Sequence, residues 1–250
     1  MLKVTGLTRT FGGLTAIAEL DFQVSENTIY SIIGPNGAGK TTLFNLLTGV
    51  YRPTSGSIQL MGQELVGLSP LQIALKGVSR TFQNLQIFAG MTALENVMVG
   101  CHGHGRCGLL ASCLGLPALQ KEAKYIEELA RRALEFCGLS NIAERPVSAL
   151  PYGLLKKLEI ARALATQPRL LLMDEPAAGL NDTETREMVG LIRSIQATGI
   201  TVLLVEHNMG LIMDVSDRIL VLNYGQKLAE GIPSEIQRNK AVIDAYLGNE

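Results

Sequence analysis

The sequence contains no apolar run long enough to cross a membrane. A spanning helix needs about 20 consecutive apolar residues, and the uninterrupted apolar stretches, such as residues 170–173 and 202–205, are far shorter. Residues 1–6 also lack the charged start, the long apolar centre and the cleavage site of a secretory signal. We therefore expect a cytosolic protein that does not span a membrane.

An excess of charge of either sign is also missing. The 22 Lys and Arg against 23 Asp and Glu give a net charge of −1, and neither half of the chain is a basic block. This balance removes the simplest electrostatic argument for a nucleic-acid partner, and we expect none. Hydrophobic residues make up 47% of the 250 residues, which suits a folded core in one large domain or two closely associated subdomains.

Cysteines are few. Three of the four lie within residues 101–113 and the fourth, Cys137, lies in a helical pattern, so reduced thiols are expected in a cytosolic protein. His102 and His104 share the first segment, which raises the alternative of a zinc site. The spacing is irregular and gives no two-plus-two ligand pattern, so we favour loop thiols and surface histidines over a metal.

Short apolar runs rich in β-branched residues predict buried strands. Helical patterns at residues 41–47 and 183–197 separate several of these runs, and strand–helix–strand order predicts a mainly parallel sheet in an α/β fold. Ligands of such sheets bind beyond the carboxyl ends of the strands. The predicted strands are residues 28–33, 169–173, 201–205 and 218–222.

The middle of the chain has a different pattern. Apolar residues recur at helical spacing over residues 121–137, charged residues occupy the opposite face, and Gly138 is placed to end the helix. A second helical stretch covers residues 154–165. We therefore predict a helical insertion at about residues 85–165.

A glycine-rich loop follows the first predicted strand and matches the pattern G-x-x-x-x-G-K-[ST]. Such a loop directs backbone N–H groups toward one point, and the helix that begins at its end adds further donors, which favours bound phosphate. Lys40 is expected to reach the β- and γ-phosphates, and the Thr41 hydroxyl to coordinate Mg²⁺. The loop consists of Gly34, Pro35, Asn36, Gly37, Ala38, Gly39, Lys40, Thr41 and Thr42.

Two carboxylates end the apolar strand at residues 170–173. Asp174 is a candidate Mg²⁺ ligand, and we assign Glu175 as the base that polarises the attacking water. The alternative is a solvated acidic strand end that caps the next turn. The phosphate loop elsewhere in the chain makes that alternative the weaker one.

His207 and Gln83 follow two further strand-like runs, so parallel pairing places them at the same sheet edge as Lys40 and Asp174. His207 would donate a hydrogen bond to a γ-phosphate. A lone histidine at a strand end is more often structural, and a lone glutamine is more often a surface residue.

These motifs together resemble the ATP-binding-cassette (ABC) ATPases in order and spacing, over essentially the whole chain. The resemblance implies a P-loop NTPase (RecA-like) core with a mixed, mainly parallel sheet at residues 1–84 and 166–250, and a helical subdomain at 85–165. It also implies ATP and Mg²⁺ as cofactors. The motifs are residues 34–42, Gln83, residues 150–153, residues 173–176 and His207.

Further site residues are implied only by this resemblance. Gln83 corresponds to the family's loop glutamine, which joins Mg²⁺ to the membrane partner, and Asn181 occupies the aspartate-type position of the dimer-contacting loop. Phe11 resembles the aromatic residue that stacks on adenine. An ordinary core phenylalanine is the alternative for Phe11.

Residues 150–153 resemble the family's signature loop, which covers ATP bound to a second cassette. Pro151 stands where the family has Ser, and Leu154 where it has Gln, so two side-chain donors are missing. Gly153 still precedes a helix whose N-terminal N–H groups face an anion. Pro151 and Tyr152 match the variant of the branched-chain amino-acid importers, although Leu154 departs even from that.

The same subfamily is indicated by residues 175–181, 206–209 and 245–248, and residues 100–119 resemble the larger of its two ATPases. The resemblance implies an ATPase subunit on the cytoplasmic face of the membrane. Its partners would be a second cassette, two membrane permease subunits and, indirectly, a solute-binding protein.

Alternatives of other classes stay open. They are an ABC ATPase of DNA repair or translation, a cassette for another solute such as urea, and a scaffold with inert nucleotide binding. The first class usually has a long coiled coil or two cassettes in one chain, and neither is present here. A GTPase is disfavoured because residues 239–242 lack the aspartate that reads guanine.

Overall fold

The computed structural model describes residues 1–82, 85–101 and 117–247, without the side chains of residues 117–119 and 247. The chain forms two compact units. The first comprises Met1–Arg80 and Arg169–Glu250, and the second is Thr81–Pro168. The second unit begins slightly before and ends slightly after the helical insertion predicted at residues 85–165.

A six-stranded sheet in the order β10-β9-β3-β8-β7-β6 forms the centre of the first unit. Five of its strands are parallel, and only the edge strand β10 pairs antiparallel, with β9. The sheet is therefore mixed and mainly parallel, as predicted. Its strands are β3 (Ile29–Ile33), β6 (Val78–Arg80), β7 (Leu170–Asp174), β8 (Thr201–Val205), β9 (Arg218–Asn223) and β10 (Gln226–Gly231).

The central strands were readable from sequence because both of their faces are covered. Every residue of β3, β7 and β8 is buried. A strand of that kind appears as a continuous apolar run instead of an alternating one. The structure confirms the four predicted strands to within a residue or so at each end.

A second, antiparallel sheet in the order β2-β1-β4-β5 belongs to the same unit. Its inward residues join those of the parallel sheet and the helix after β3 in one hydrophobic core. Tyr30 and Phe44 are among the largest fully buried side chains of this core. The strands are β1 (Leu2–Phe11), β2 (Leu14–Val24), β4 (Ser55–Leu60) and β5 (Gln63–Glu64).

The described part of the first unit contains six helices. The helix Asp182–Ala197 lies between β7 and β8 in the chain, which is the crossover that parallel pairing requires. The helices are α1 (Lys40–Leu47), α2 (Pro70–Leu75), α6 (Asp182–Ala197), α7 (Met209–Val215), α8 (Pro233–Ile236) and α9 (Lys240–Leu247).

The described part of the second unit is helical. It contains α3 (Ala93–Gly100), α4 (Pro117–Phe136) and α5 (Tyr152–Ala165), with 3-10 turns at Ser140–Ile142 and Val147–Ala149. Thr92 begins α3 with a reciprocal capping box to Glu95. The two helices predicted here correspond to α4 and α5.

Cys101 and Cys137 are buried free thiols in this unit. Burial raises the pKa of the Cys101 thiol to about 11 and that of Cys137 to about 12, so both stay protonated at neutral pH. His102, His104, Cys107 and Cys113 lie outside the described residues. Among the residues that are described, no cluster of His, Cys, Asp and Glu is arranged to hold a metal.

Helices long and apolar enough to cross a bilayer are absent from the described ranges 1–82, 85–101 and 117–247.

Candidate functional site

The predicted phosphate loop connects β3 to α1. Gly39 caps α1 in a left-handed conformation, and no side chain in the described part of the chain accepts a hydrogen bond from the first N–H groups of the helix. These donors are therefore available to an anion. Thr41 is exposed in the first turn, and Thr42 is half-buried beside it.

Lys40 is held inside this loop. Its Nζ donates to the backbone carbonyls of Gly34, at 2.6 Å, and Pro35, at 3.0 Å, and the residue is only 7% exposed. Burial lowers the pKa of Lys40, and the nearby carboxylates of Glu175 and Asp174 partly oppose that effect. The loop thus concentrates a desolvated ammonium group and free N–H donors, which is a favourable environment for phosphate.

Gly39 is needed for this loop, since its φ is 103° and an added Cβ would lie 2.7 Å from the Ala16 carbonyl oxygen. Gly37 has a φ of 80°, but open space surrounds it. We expect Gly37→Ala to lower the free energy of unfolding by about 1–2 kcal/mol, from the left-handed φ alone. Gly39→Ala should cost about 1–3 kcal/mol more, because of the overlap.

Urea denaturation of both variants measures this difference, with Gly37→Ala as the matched control. Equal free energies of unfolding for the two variants would contradict the packing argument for Gly39.

Asp174, the predicted Mg²⁺ ligand, ends β7 as a buried residue. Its Oδ2 accepts a hydrogen bond from Arg80 Nη2 at 2.7 Å, and Arg80 Nη1 donates to Asn45 Oδ1 at 2.7 Å. Arg80 lies on the neighbouring strand β6 and fixes the orientation of this carboxylate, and it was not among the residues predicted from sequence.

Glu175 and His207 lie together at the carboxyl ends of β7 and β8. His207 Nε2 is 3.1 Å from Glu175 Oε1, and the two side chains are 47% and 17% exposed. Glu175 itself has a φ of 49°, an uncommon conformation for a residue other than glycine, and its N–H donates to the Val205 carbonyl. The chain therefore leaves the strand sharply, and the Glu175 carboxylate contacts His207, a pairing that was not predicted.

Glu206 is a second buried residue of this sheet edge that was not among the predicted site residues. It is 4% exposed, and its two oxygens accept N–H groups from Ala177 at 2.7 Å, His207 at 2.8 Å and Asn208 at 3.3 Å. Its position directly after a buried parallel strand is the sequence feature that could have indicated a role at this sheet edge. Which groups it contacts depends on the fold.

The remaining candidates in this unit are Asn181 and Phe11. Asn181 caps α6, accepting from the N–H groups of Thr183 and Glu184. Phe11 is 37% exposed and so is not an ordinary core residue. Its ring packs edge-on against Tyr51 with centroids 5.3 Å apart, and the Arg9 guanidinium lies 4.3 Å from its centroid. Gln83 lies outside the described residues.

The predicted signature residues begin α5 in the second unit. Pro151 caps this helix without a side-chain hydrogen bond, Tyr152 is 44% exposed, and Gly153 is buried. Among the described residues, the first N–H groups of α5 therefore have no side-chain acceptor, and that they face an anion stays a prediction.

The donor set at the sheet edge suits a nucleotide with Mg²⁺. Asp174 and Thr41 supply the hard oxygen ligands that Mg²⁺ prefers, and Lys40 with the loop N–H groups supplies the positive surface that phosphates need.

Comparison with known proteins agrees with this geometry. The family model for ABC transporters matches residues 17–178, and a model for branched-chain amino acid ATP-binding cassette transporters matches residues 226–250. The solved ADP conformation of MJ1267, an ATP-binding cassette of an ABC transporter, superposes with a TM-score of 0.87 at 30% identity, covering 100% of this chain and 99% of that one.

Two curated relatives are similar over nearly their full length. The high-affinity branched-chain amino acid transport ATP-binding protein BraF of Pseudomonas aeruginosa is 48% identical over 249 residues, which cover 99% of this chain and 98% of that one. The corresponding protein LivG of Escherichia coli K12 is 47% identical, with the same coverage. The resemblance inferred from the motifs is thus confirmed, and the chain belongs to the ABC transporter family as one of its ATP-binding cassettes.

Proposed function

We propose that this chain is the ATP-hydrolysing subunit of an importer of branched-chain amino acids. The contact of Glu175 with His207, at the sheet edge where the phosphate loop also begins, carries the enzymatic part of the proposal. The names of BraF and LivG support the solute class.

Binding of ATP begins at the phosphate loop. Lys40 would exchange its contacts with the Gly34 and Pro35 carbonyls for phosphate oxygens, and the exposed N–H groups at the start of α1 would take the remaining charge. Phe11, which is partly exposed, offers a ring face to the adenine.

Hydrolysis needs an acceptor for the proton of the attacking water. Glu175 lies next to the strand end, contacts His207 through Oε1 and has a 17% exposed side chain, so a water molecule can approach this carboxylate. His207 would hold this carboxylate and respond to the γ-phosphate. Thr41, Asp174 and Gln83 would hold Mg²⁺, and the bound ion would neutralise part of the phosphate charge.

A second cassette would complete the site. The α5 N-terminus with Pro151, Tyr152 and Gly153 would face the γ-phosphate of the other chain, and Asn181 would lie at the contact. Closure around ATP and release after hydrolysis would drive two permease subunits, to which Gln83 responds, on the cytoplasmic face of the membrane. A solute-binding protein would act indirectly.

The test is purification from membranes with the associated proteins, followed by reconstitution in vesicles. We expect the chain to co-purify with permease subunits. We also expect the reconstituted vesicles to take up leucine, isoleucine and valine in an ATP-dependent manner. Uptake of urea but not of leucine would show that the solute is not a branched-chain amino acid. Absence of membrane partners would favour the non-transport alternatives. A chain that binds ATP without hydrolysing it in the complex would support the scaffold alternative.

A further inference from the structure

Two loops carry the groups proposed for catalysis. One begins at Glu175 and continues through Ala177, and the other contains His207 and leads into α7 at Met209. A side-chain contact between the loops, from His207 Nε2 to Glu175 Oε1, is partly exposed to solvent, and such contacts contribute little to holding a geometry. The pairing of β7 with β8 and the bond from the Glu175 N–H to the Val205 carbonyl hold the two loops together where they begin, and a further link is needed beyond those strand ends.

Glu206 makes that connection. Its Oε1 accepts from the Ala177 N–H at 2.7 Å, in the first loop, and its Oε2 accepts from the N–H groups of His207 and Asn208, in the second. One side chain therefore bridges backbone groups on both sides of the Glu175–His207 contact. With Glu206 only 4% exposed, water cannot readily replace these bonds.

We propose that Glu206 is a positioning residue that holds Glu175 and His207 in register for hydrolysis by tying their loops together. This inference rests on the proposed ATPase function. Glu206 does not act as a base itself, because both oxygens are occupied by backbone donors and the residue is buried. Its effect on turnover comes through the geometry of the other two residues.

Replacement by glutamine leaves the shape almost unchanged but puts an NH₂ group where one oxygen accepted an N–H. Donor then faces donor at either Ala177 or the His207–Asn208 pair, and that loop is released. We expect Glu206→Gln to lower kcat by roughly tenfold to a hundredfold, the usual effect of a displacement of about 1 Å at a reacting group, with KM for ATP little changed.

Glu64→Gln is the matched control. Glu64 also accepts several N–H groups, from Ile58, Leu65 and Val66, within the same unit, but it contacts no proposed catalytic residue. Glu64→Gln should leave kcat unchanged, and its melting temperature shows how much stability is lost when a carboxylate that accepts N–H groups becomes an amide. Comparing kcat and the melting temperature of the two variants therefore distinguishes a loss of stability from a loss of positioning.

The experiment uses the full-length chain with ATP and Mg²⁺, and measures kcat, KM and the melting temperature. Hydrogen exchange, followed without nucleotide, should be faster in Glu206→Gln at the amide of Ala177 or at those of His207 and Asn208, and unchanged at all three in Glu64→Gln. In the double variant Glu206→Gln with His207→Ala, kcat should fall little below that of His207→Ala alone, because both changes disturb one arrangement.

If the glutamine variant does not fold, Glu206→Asp can replace it, because the shorter side chain cannot reach both loops. It should likewise lower kcat and speed up hydrogen exchange. The proposal is overturned if kcat of the folded variant stays within twofold of wild type, if the loss falls on KM instead of kcat, or if exchange at the three amides is unchanged. If the wild-type chain does not hydrolyse ATP, the proposed function is contradicted. The hydrogen-exchange experiment would still test whether Glu206 links the two loops.

Discussion

Replacing Glu175 with glutamine should lower the ATP turnover by roughly 10²- to 10⁴-fold, the usual contribution of a positioned general base. Glutamine keeps the size of the side chain and the contact with His207 Nε2, but it cannot accept the proton of the attacking water. ATP binding depends on the phosphate loop, so the affinity should stay close to that of the wild type. The variant would then accumulate in the ATP-bound state.

This accumulation gives a second readout of the same substitution. If two cassettes enclose ATP, Glu175→Gln with ATP should elute as a dimer in size-exclusion chromatography and as a monomer without nucleotide. The wild type should return to monomer as it hydrolyses ATP. Glu26→Gln, a change of the same type at an exposed position, is the control and should behave as the wild type. If Glu175→Gln hydrolyses ATP at the wild-type rate, Glu175 is not the general base.

The central sheet and the phosphate loop were predictable because local sequence determines them. The runs that became β3, β7 and β8 are buried on both faces, so each appears as an apolar stretch without any knowledge of its neighbours. The phosphate loop follows one such strand directly, and its glycines mark the backbone conformations that it needs. The carboxyl ends of parallel strands then placed Asp174, Glu175 and His207 at one edge.

The partners of those residues could not be predicted, because they depend on strand order. Arg80 meets Asp174 since β6 pairs with β7, although 94 positions separate the two residues in the chain. Nothing in the short run before Gln83 indicates that pairing. Glu206 was visible in the motif with His207, but its bond to Ala177 exists only because β7 and β8 are adjacent.

Asn181 shows how the same residue takes on a local role that sequence reasoning had passed over. It was assigned to the dimer contact by resemblance, and in the structure it also starts α6, where its own N–H donates to the Glu184 carboxylate in a reciprocal cap. The spacing of Asn and Glu before a helical pattern carries that signal. The dimer contact remains a prediction.

Replacing Lys40 with alanine should weaken ATP binding by roughly 100-fold or more. In the proposed complex Lys40 makes charge-assisted bonds to phosphate oxygens, each of which contributes about 1.5–3 kcal/mol, and tenfold in affinity corresponds to about 1.4 kcal/mol. The remaining N–H donors of the loop are neutral and cannot replace an ammonium group. The loss should therefore be seen in the dissociation constant for ATP and not only in turnover.

The stability of the nucleotide-free chain should respond differently. Burial lowers the pKa of Lys40, which means that the charged form is penalised where it lies, although the Gly34 and Pro35 carbonyls and two carboxylates offset part of that cost. Removing the ammonium removes both the penalty and the compensation, so Lys40→Ala should change the melting temperature little. Equilibrium binding of a fluorescent ATP analogue, alongside thermal unfolding without nucleotide, separates the two effects.

Lys3→Ala, on the exposed face of β1, is the control for the loss of a lysine and should leave both quantities unchanged. If Lys40→Ala binds ATP as tightly as the wild type, the phosphate loop is not the nucleotide site. If it loses affinity only because it unfolds, the melting temperature will fall in parallel. A large loss of affinity at an unchanged melting temperature is the result expected when a buried cation is kept in the loop for phosphate and contributes little to the fold.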